Sequence, residues 1–110
     1  MTMPSYLVQA AYTQQALAAL IANPQDRTDA IRKTVKKLGG KLGGLYLAFG
    51  DYDIVTILDM PDNVSAAAFA VAIGAGGACR NVKTTPLLSS ADGIAALKKA
   101  GGSGYKSVTE

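Results

Sequence analysis

Asp53 and the tyrosines at positions 12, 46 and 52 are the side chains through which this chain of 110 residues could do chemistry. A half-buried carboxylate beside a phenol can serve as a base or anchor a ligand, and burial raises its pKa toward that task. The plainer role for Asp53 is to accept hydrogen bonds from turn or neighbouring backbone amides at the start of a strand. Each tyrosine also fits the edge of a core, with its ring covered and its hydroxyl in water. Arg80 and Lys83, beside Thr84 and Thr85, form a second set. They could recognise an anionic group, or simply protect an edge strand with charge. Cys79 is the sole cysteine, so it is either a thiolate favoured by Arg80 or a small apolar filler. Histidine is absent altogether. That removes the Ser-His-Asp triad, a proximal-histidine haem and most zinc sites, and neither a cofactor nor a metal is expected.

Bulk composition narrows the partners. The net charge is +3, with acidic and basic residues interspersed, which does not by itself point to nucleic acid. Arg32, Lys33, Lys36, Lys37 and Lys41 form a basic stretch without interleaved aromatics for base stacking, so it reads as a solvated helix face. No segment reaches the roughly 18 apolar residues that span a bilayer, and the first fifteen residues lack the pattern of a signal peptide. Neither nucleic acid nor membrane is an expected partner, and the expected compartment is the cytoplasm. Two glycine clusters fail as phosphate-binding motifs. Gly74, Gly76 and Gly77 leave a helix rather than follow a strand, and Gly39-Gly40-Lys41 lacks the upstream Gly and downstream Ser or Thr of a P-loop.

These side chains must be positioned by a small set of elements. Residues 6–12 read as a first strand, apolar at Leu7, Val8, Ala10 and Ala11, and Thr13 can cap a short helix over 14–22 that Asn23-Pro24 interrupts. A main helix is predicted over 25–38, with Ile31, Val35 and Leu38 on one face and Gly39 as its left-handed stop. A hairpin over 42–59 follows. Asp62 or Asn63 can cap a small, almost wholly apolar helix over 64–73, which is expected to be well buried. A strand over 80–88 carries Pro86, which places it at an edge or near a strand end. Ser89 or Ser90 caps a last helix over 91–100, whose Asp92, Lys98 and Lys99 suit the helix dipole. The order is βαββαβ plus a C-terminal helix, an α+β, ferredoxin-like arrangement with helices on one face of a four-stranded antiparallel sheet. One domain over 1–100 and a loose tail over 101–110 are expected.

Gly50-Asp51 fits a two-residue type II′ turn. Pairing outward from it sets Phe49 opposite Tyr52, Leu47 opposite Ile54 and Leu45 opposite Thr56 on one face. The other face carries Ala48 with Asp53 and Tyr46 with Val55, and places Asp53 diagonally from Tyr46, within reach of its phenol. Both faces are apolar over most of their length, yet helices cover only one. The second needs another cover, and the same face of a second copy supplies it, so a homo-oligomer is expected.

The run Gly50-Asp51-Tyr52-Asp53-Ile54-Val55, followed by Met60-Pro61-Asp62, resembles the GYD-domain family, with Asp51 inserted into the Gly-Tyr-Asp triplet. Leu38-Gly39-Gly40-Lys41 and residues 80–85 sit where similar segments occur in that family, and the likeness extends to about Ala100. It implies a ferredoxin-like fold related to the dimeric α/β barrels, and no particular activity. The leading functional reading is an oligomeric module that binds a small molecule or another protein. A cofactor-independent enzyme, oxygenase-like by barrel analogy, with a pocket at Tyr12, Tyr46, Tyr52 and Asp53, is the alternative, and a purely structural assembly subunit is the third.

Overall fold

Strand β1 (Ser5–Tyr12) alternates faces in the way a central strand must: Tyr6, Val8 and Ala10 are buried on one side, while Leu7 and Gln9 are half-buried on the other. The computed structural model describes residues 3–109. Met1, Thr2 and Glu110, which the expected domain and tail boundaries include, lie outside the described residues. After β1 come α1 (Gln14–Ala22), α2 (Thr28–Lys37), β2 (Lys41–Leu47), β3 (Ile54–Asp59), α3 (Asn63–Ala75), β4 (Cys79–Leu87) and α4 (Ser90–Gly101). The strands form one antiparallel sheet in the order β2-β3-β1-β4. This is the ferredoxin-like α+β arrangement, and it puts the Pro86-containing strand at an edge, where a missing donor costs least.

The helix starts follow from short polar side chains. Thr13 Oγ1 accepts from the Ala16 amide at 3.1 Å, Asp62 Oδ1 from Ser65 at 2.8 Å, and Ser89 Oγ from Asp92 at 3.1 Å. The Ser65 amide holds the Asp62 carboxyl below its usual range. Helix α2 begins three residues later than predicted. The Asp26 carboxylate accepts from both the hydroxyl and the amide of Thr28, a local turn that competes with helix and lowers its pKa. Gly39, at φ 85°, ends the helix as expected.

The hairpin keeps the expected register near its tip: Leu47 faces Ile54, Tyr46 faces Val55 and Leu45 faces Thr56. The turn itself is wider than two residues. The ladder stops at Leu47 and Ile54, the Ala48 amide donates to the Asp53 carbonyl at 2.8 Å, and Gly50 sits at φ 123°. Farther along, the pairing shifts at Gly43, so that Leu42 opposes Leu58 rather than Asp59. That bulge carries Leu42 from the outer face to the core face. It also needs a glycine, since a Cβ there would meet the Ile57 carbonyl oxygen at 2.9 Å.

The core fills one end of the helix-covered face. Tyr6, Val8, Leu58 and Met60 meet Val35 of α2 and Ala66 and Phe69 of α3. The Tyr6 hydroxyl is satisfied by Asn63 Oδ1 at 2.6 Å. The expectation that α3 is well buried is corrected: only Ala66 and Phe69 are fully buried and Ile73 is half-buried against the core, while Val64 and Val71 are 79% and 69% exposed. A helix in a single outer layer touches the sheet along one stripe only, so its apolar composition outruns the surface available to bury it.

Gly40 lies against Met60, Asp59 and Val35, where a Cβ would sit 2.6 Å from the Asp59 carbonyl oxygen and also meet the Met60 sulfur. Gly40→Ala is therefore expected to destabilise the chain by about 1–3 kcal/mol through overpacking. Gly74→Ala, in α3 with nothing within 4 Å of the new carbon, is expected to stabilise it by about 0.5–1 kcal/mol. Urea denaturation of the two variants checks the opposite signs.

Candidate functional site

Helix α2 lies over β2 and helix α3 over β4, which leaves the central strands β1 and β3 to be roofed by side chains reaching inward. At one end Val35 and Phe69 close this roof over Leu58 and Met60. At the other end the sheet offers Ala10, and α3 gives way to Gly76 and Ala78, residues too small to fill the space. A cavity of about 250 Å³ results, walled by Val8, Ala10, Leu45, Ile54 and Thr56 from the sheet and by Ile31, Phe69 and Ile73 from the helices. Val8 and Phe69 belong both to the packed core and to the cavity wall, so they mark where filled becomes hollow. Thr56, the buried polar residue of the wall, donates its hydroxyl to the Gly44 carbonyl at 2.5 Å, so it presents no free donor inward. The cavity leads into a wider groove of about 650 Å³ beneath residues 24–28, with Tyr12, Arg27, Leu45 and Ile54 common to both.

The polar groups gather at the cavity mouth because the end of β1 is pinned from two sides. Asp53 Oδ2 accepts from the Tyr12 amide at 2.8 Å, and the Thr13 amide donates to the Ala78 carbonyl at 2.8 Å. The β1–β4 register shifts here, so Tyr12 opposes Cys79 instead of Arg80. This bulge turns Cys79 into the cavity lining and leaves Arg80 exposed. Burial pushes the Cys79 thiol up, reinforced by the negative charge of Asp53. Tyr12 is likewise raised, chiefly by burial and then by Cys79, with Arg27 acting in the opposite direction. At neutral pH both groups are uncharged, and Arg27 is the one formal charge in the cavity lining.

Of the residues singled out from sequence, the structure brings together Tyr12 and Asp53. Asp53 plays its plainer part, holding a backbone amide, and the hydrogen bond expected between it and Tyr46 is replaced by this one. Tyr46 projects from the opposite face of the sheet, 64% exposed, with its ring folded over Gly44. Tyr52 sits half-buried in the β2–β3 connection and does not line the cavity. Arg80 and Lys83 are both exposed on β4, two residues outside the cavity wall. Sequence reasoning missed Arg27 and Ile31. The predicted helix over 25–38 runs through residue 27, and only the Asn23-Pro24 break with Asp26 two residues before Thr28 signals that Arg27 precedes the helix.

No helix among the described residues is long and apolar enough to cross a membrane, and no cluster of potential metal ligands occurs among them. The fold is shared with solved structures. It superposes on the C-terminal domain of the MgtC protein from Mycobacterium tuberculosis with a TM-score of 0.56, at 13% identity over 78% of this chain and 89% of that one. FFRP-DM1 gives 0.50 at 12% identity, over 78% of this chain and all of that one. An AsnC family transcriptional regulator from Agrobacterium tumefaciens gives 0.50 at 16% identity, over 80% of this chain and 52% of that one. At such identities the likeness is one of fold. No curated protein matches the sequence. The GYD domain family model matches residues 6–97, a span from the core tyrosine Tyr6 of β1 to Leu97 of α4, and the chain belongs to the GYD domain family.

Proposed function

We propose that this chain is a small-molecule-binding module that works as a pair, taking a compact apolar ligand with an anionic end into the cavity beneath α2 and α3. The observation that carries the reading is the cavity itself. Its walls are apolar, its volume suits a ligand of one or two rings, and its charge comes from Arg27 at the mouth. A guanidinium there favours a carboxylate or sulfonate, which it can hold through two parallel bonds. Tyr12 adds a neutral hydroxyl beside it. The tyrosine–carboxylate set of the enzymatic alternative is dispersed over two faces, with Asp53 engaged by a backbone amide. Pairing rests on the outer face of the sheet, where Leu7, Val55, Ile57 and Tyr46 lie together and no helix covers them. A second copy presents the same surface, and such a patch is self-complementary across a two-fold axis.

Naphthoate and naphthalenemethanol, titrated by calorimetry, separate the parts of this reading. Both are expected to bind. Arg27→Gln is expected to weaken naphthoate by about 5–10-fold, the worth of one partly exposed charge-assisted bond, and to leave the alcohol unchanged. Ala10→Leu, which fills the cavity floor, is expected to abolish both; retained binding in that variant, or no binding to the native chain at millimolar ligand, rejects the cavity as a ligand site. Light scattering at micromolar concentration is expected to give a dimer, and a monomer there rejects the pairing.

Cys79 supplies an internal reporter. Iodoacetamide is expected to modify it with a pH midpoint above the ordinary value of about 8.5, and Asp53→Asn is expected to bring that midpoint down. Saturating naphthoate should slow the modification. A midpoint below the ordinary value would contradict the placement of Cys79. The same shift has a sign for stability: the unfolded thiol ionises first, so folding stability is complete below about pH 8.5 and declines as pH rises through the higher midpoint of the folded form.

A further inference from the structure

The inner cavity and the outer groove meet at a residue that can hold an anion. Arg27 lines both, together with Tyr12, Leu45 and Ile54. Its Nη1 donates to the neutral Gln25 Oε1 at 3.3 Å, and the one ion pair among the described residues joins Arg32 to Asp29. No carboxylate of the chain is therefore paired with Arg27, and its remaining N–H groups are left for an incoming anion. That anion would stand between two hollows, one of about 250 Å³ on its inner side and one of about 650 Å³ on its outer side.

The outer hollow is lined for an apolar occupant. Leu47 opposes the buried Ile54 across the hairpin, so it points to the same, helix-covered face of the sheet. It is nonetheless 82% exposed, and no helix side chain covers it. Leu20 of α1 and Pro24 add apolar surface to the same groove. The acidic residue there has the wrong sign for a second anion. Asp26 lines the groove, and the hydroxyl and amide of Thr28 hold its carboxyl below the usual range, so it is ionised at neutral pH. The favourable place for an acid is thus at Arg27, and the groove beyond it suits an uncharged arm.

We infer that the ligand is branched at its acid: a carboxylate on a carbon that carries one apolar arm into the cavity and a second, uncharged arm into the groove. N-acyl amino acids and 2-substituted alkanoic acids share this chemistry. The inference rests on the cavity reading above and extends it, since the compact acid considered there fills only the inner hollow. An acid with a single apolar body leaves Leu47 bare. A second arm covers Leu47 and Leu20, and apolar surface removed from water adds affinity in proportion to its area. Arg27 then selects the acid and Leu47 the arm.

Calorimetry on the full chain tests this with three ligands: 3-(2-naphthyl)propanoate, racemic N-hexanoyl-3-(2-naphthyl)alanine, and the isomer of the latter with its carboxyl moved to the far end of the hexanoyl arm. The N-hexanoyl acid is expected to bind about tenfold tighter than the propanoate, and its isomer about fivefold more weakly than the N-hexanoyl acid. Arg27→Gln is expected to abolish the preference between the isomers. Leu47→Ser is expected to remove most of the gain from the hexanoyl arm. An N-hexanoyl acid no tighter than the propanoate, or isomers of equal affinity on the native chain, overturns the branched acid and leaves the cavity reading standing. A gain that persists in a Leu47→Ser chain still able to bind the propanoate overturns the placement of the second arm. If naphthoate and all three acids fail to bind the native chain at millimolar concentration, the cavity reading falls together with this one.

Discussion

The closing of Val35 and Phe69 over Tyr6, Leu58 and Met60 is the contact on which the rest of this molecule hangs. It joins the two helices to the two central strands at one end of the sheet and leaves the other end to whatever side chains reach it. A Phe at full burial is worth about 3–5 kcal/mol against its removal, a large part of the stability of so small a domain. Packing this end tightly brings Gly40 against Met60 and Asp59, which leaves no room for a side chain at that position. The hollow at the far end follows from the same economy of volume. Ala10, Gly76 and Ala78 stand where larger residues would have continued the core.

Two bulges translate that packing into chemistry. The extra residue at Gly43 returns Leu42 to the core face, and the one at Arg80 puts Cys79 opposite Tyr12. Each reverses the facing of every residue on one side of it, because side chains in a strand alternate with period two. Without the second bulge a guanidinium would point beneath the helices and the thiol would point away. With it, the cavity has one cation, Arg27, and two neutral polar groups, Tyr12 and Cys79, whose charged forms burial disfavours. Such a site is suited to binding an anion's apolar body and poorly suited to nucleophilic attack, since the thiolate is scarce at neutral pH.

What was legible in the sequence was local. Thr13, Asp62 and Ser89 announce helix starts by their short oxygens, Gly39 announces a stop, and the alternation on either side of Gly50 sets Leu45, Tyr46 and Leu47 against Thr56, Val55 and Ile54. The run Gly50-Asp51-Tyr52-Asp53 pointed to the family for the same reason, being a local pattern. The bulges were not legible, because a glycine inside a strand is compatible with a bulge, a bend or a close approach, and Arg80 carries no mark at all. The cavity was not legible either. It depends on how far apart two helices stand, a sum of contacts across the sheet rather than a property of any one stretch. Asp53 shows the limit most plainly: its neighbour in the fold is the Tyr12 amide, 41 positions away, and not the phenol that strand geometry brought near it.

The apolar content of the chain is larger than one copy can use. Among the described residues ten apolar side chains are buried, while fifteen large ones stand exposed, and they are not scattered. Nine of the fifteen fall in groups: Tyr46, Ile57 and Leu87 on the outer sheet face, Val64 and Val71 on the free side of α3, Leu17 and Ile21 on α1, and Ile94 and Leu97 on α4. A lone apolar residue at a surface needs no explanation, but stripes on successive elements do. Strand β3 shows why one solution serves both faces. Ile54, Thr56 and Leu58 point inward to cavity and core, while Val55 and Ile57 point outward to the bare face. Inside, the strand is short of volume and outside it is short of cover. In the function proposed above, a ligand would supply the first and a second copy the second, each from its own side of the same five residues.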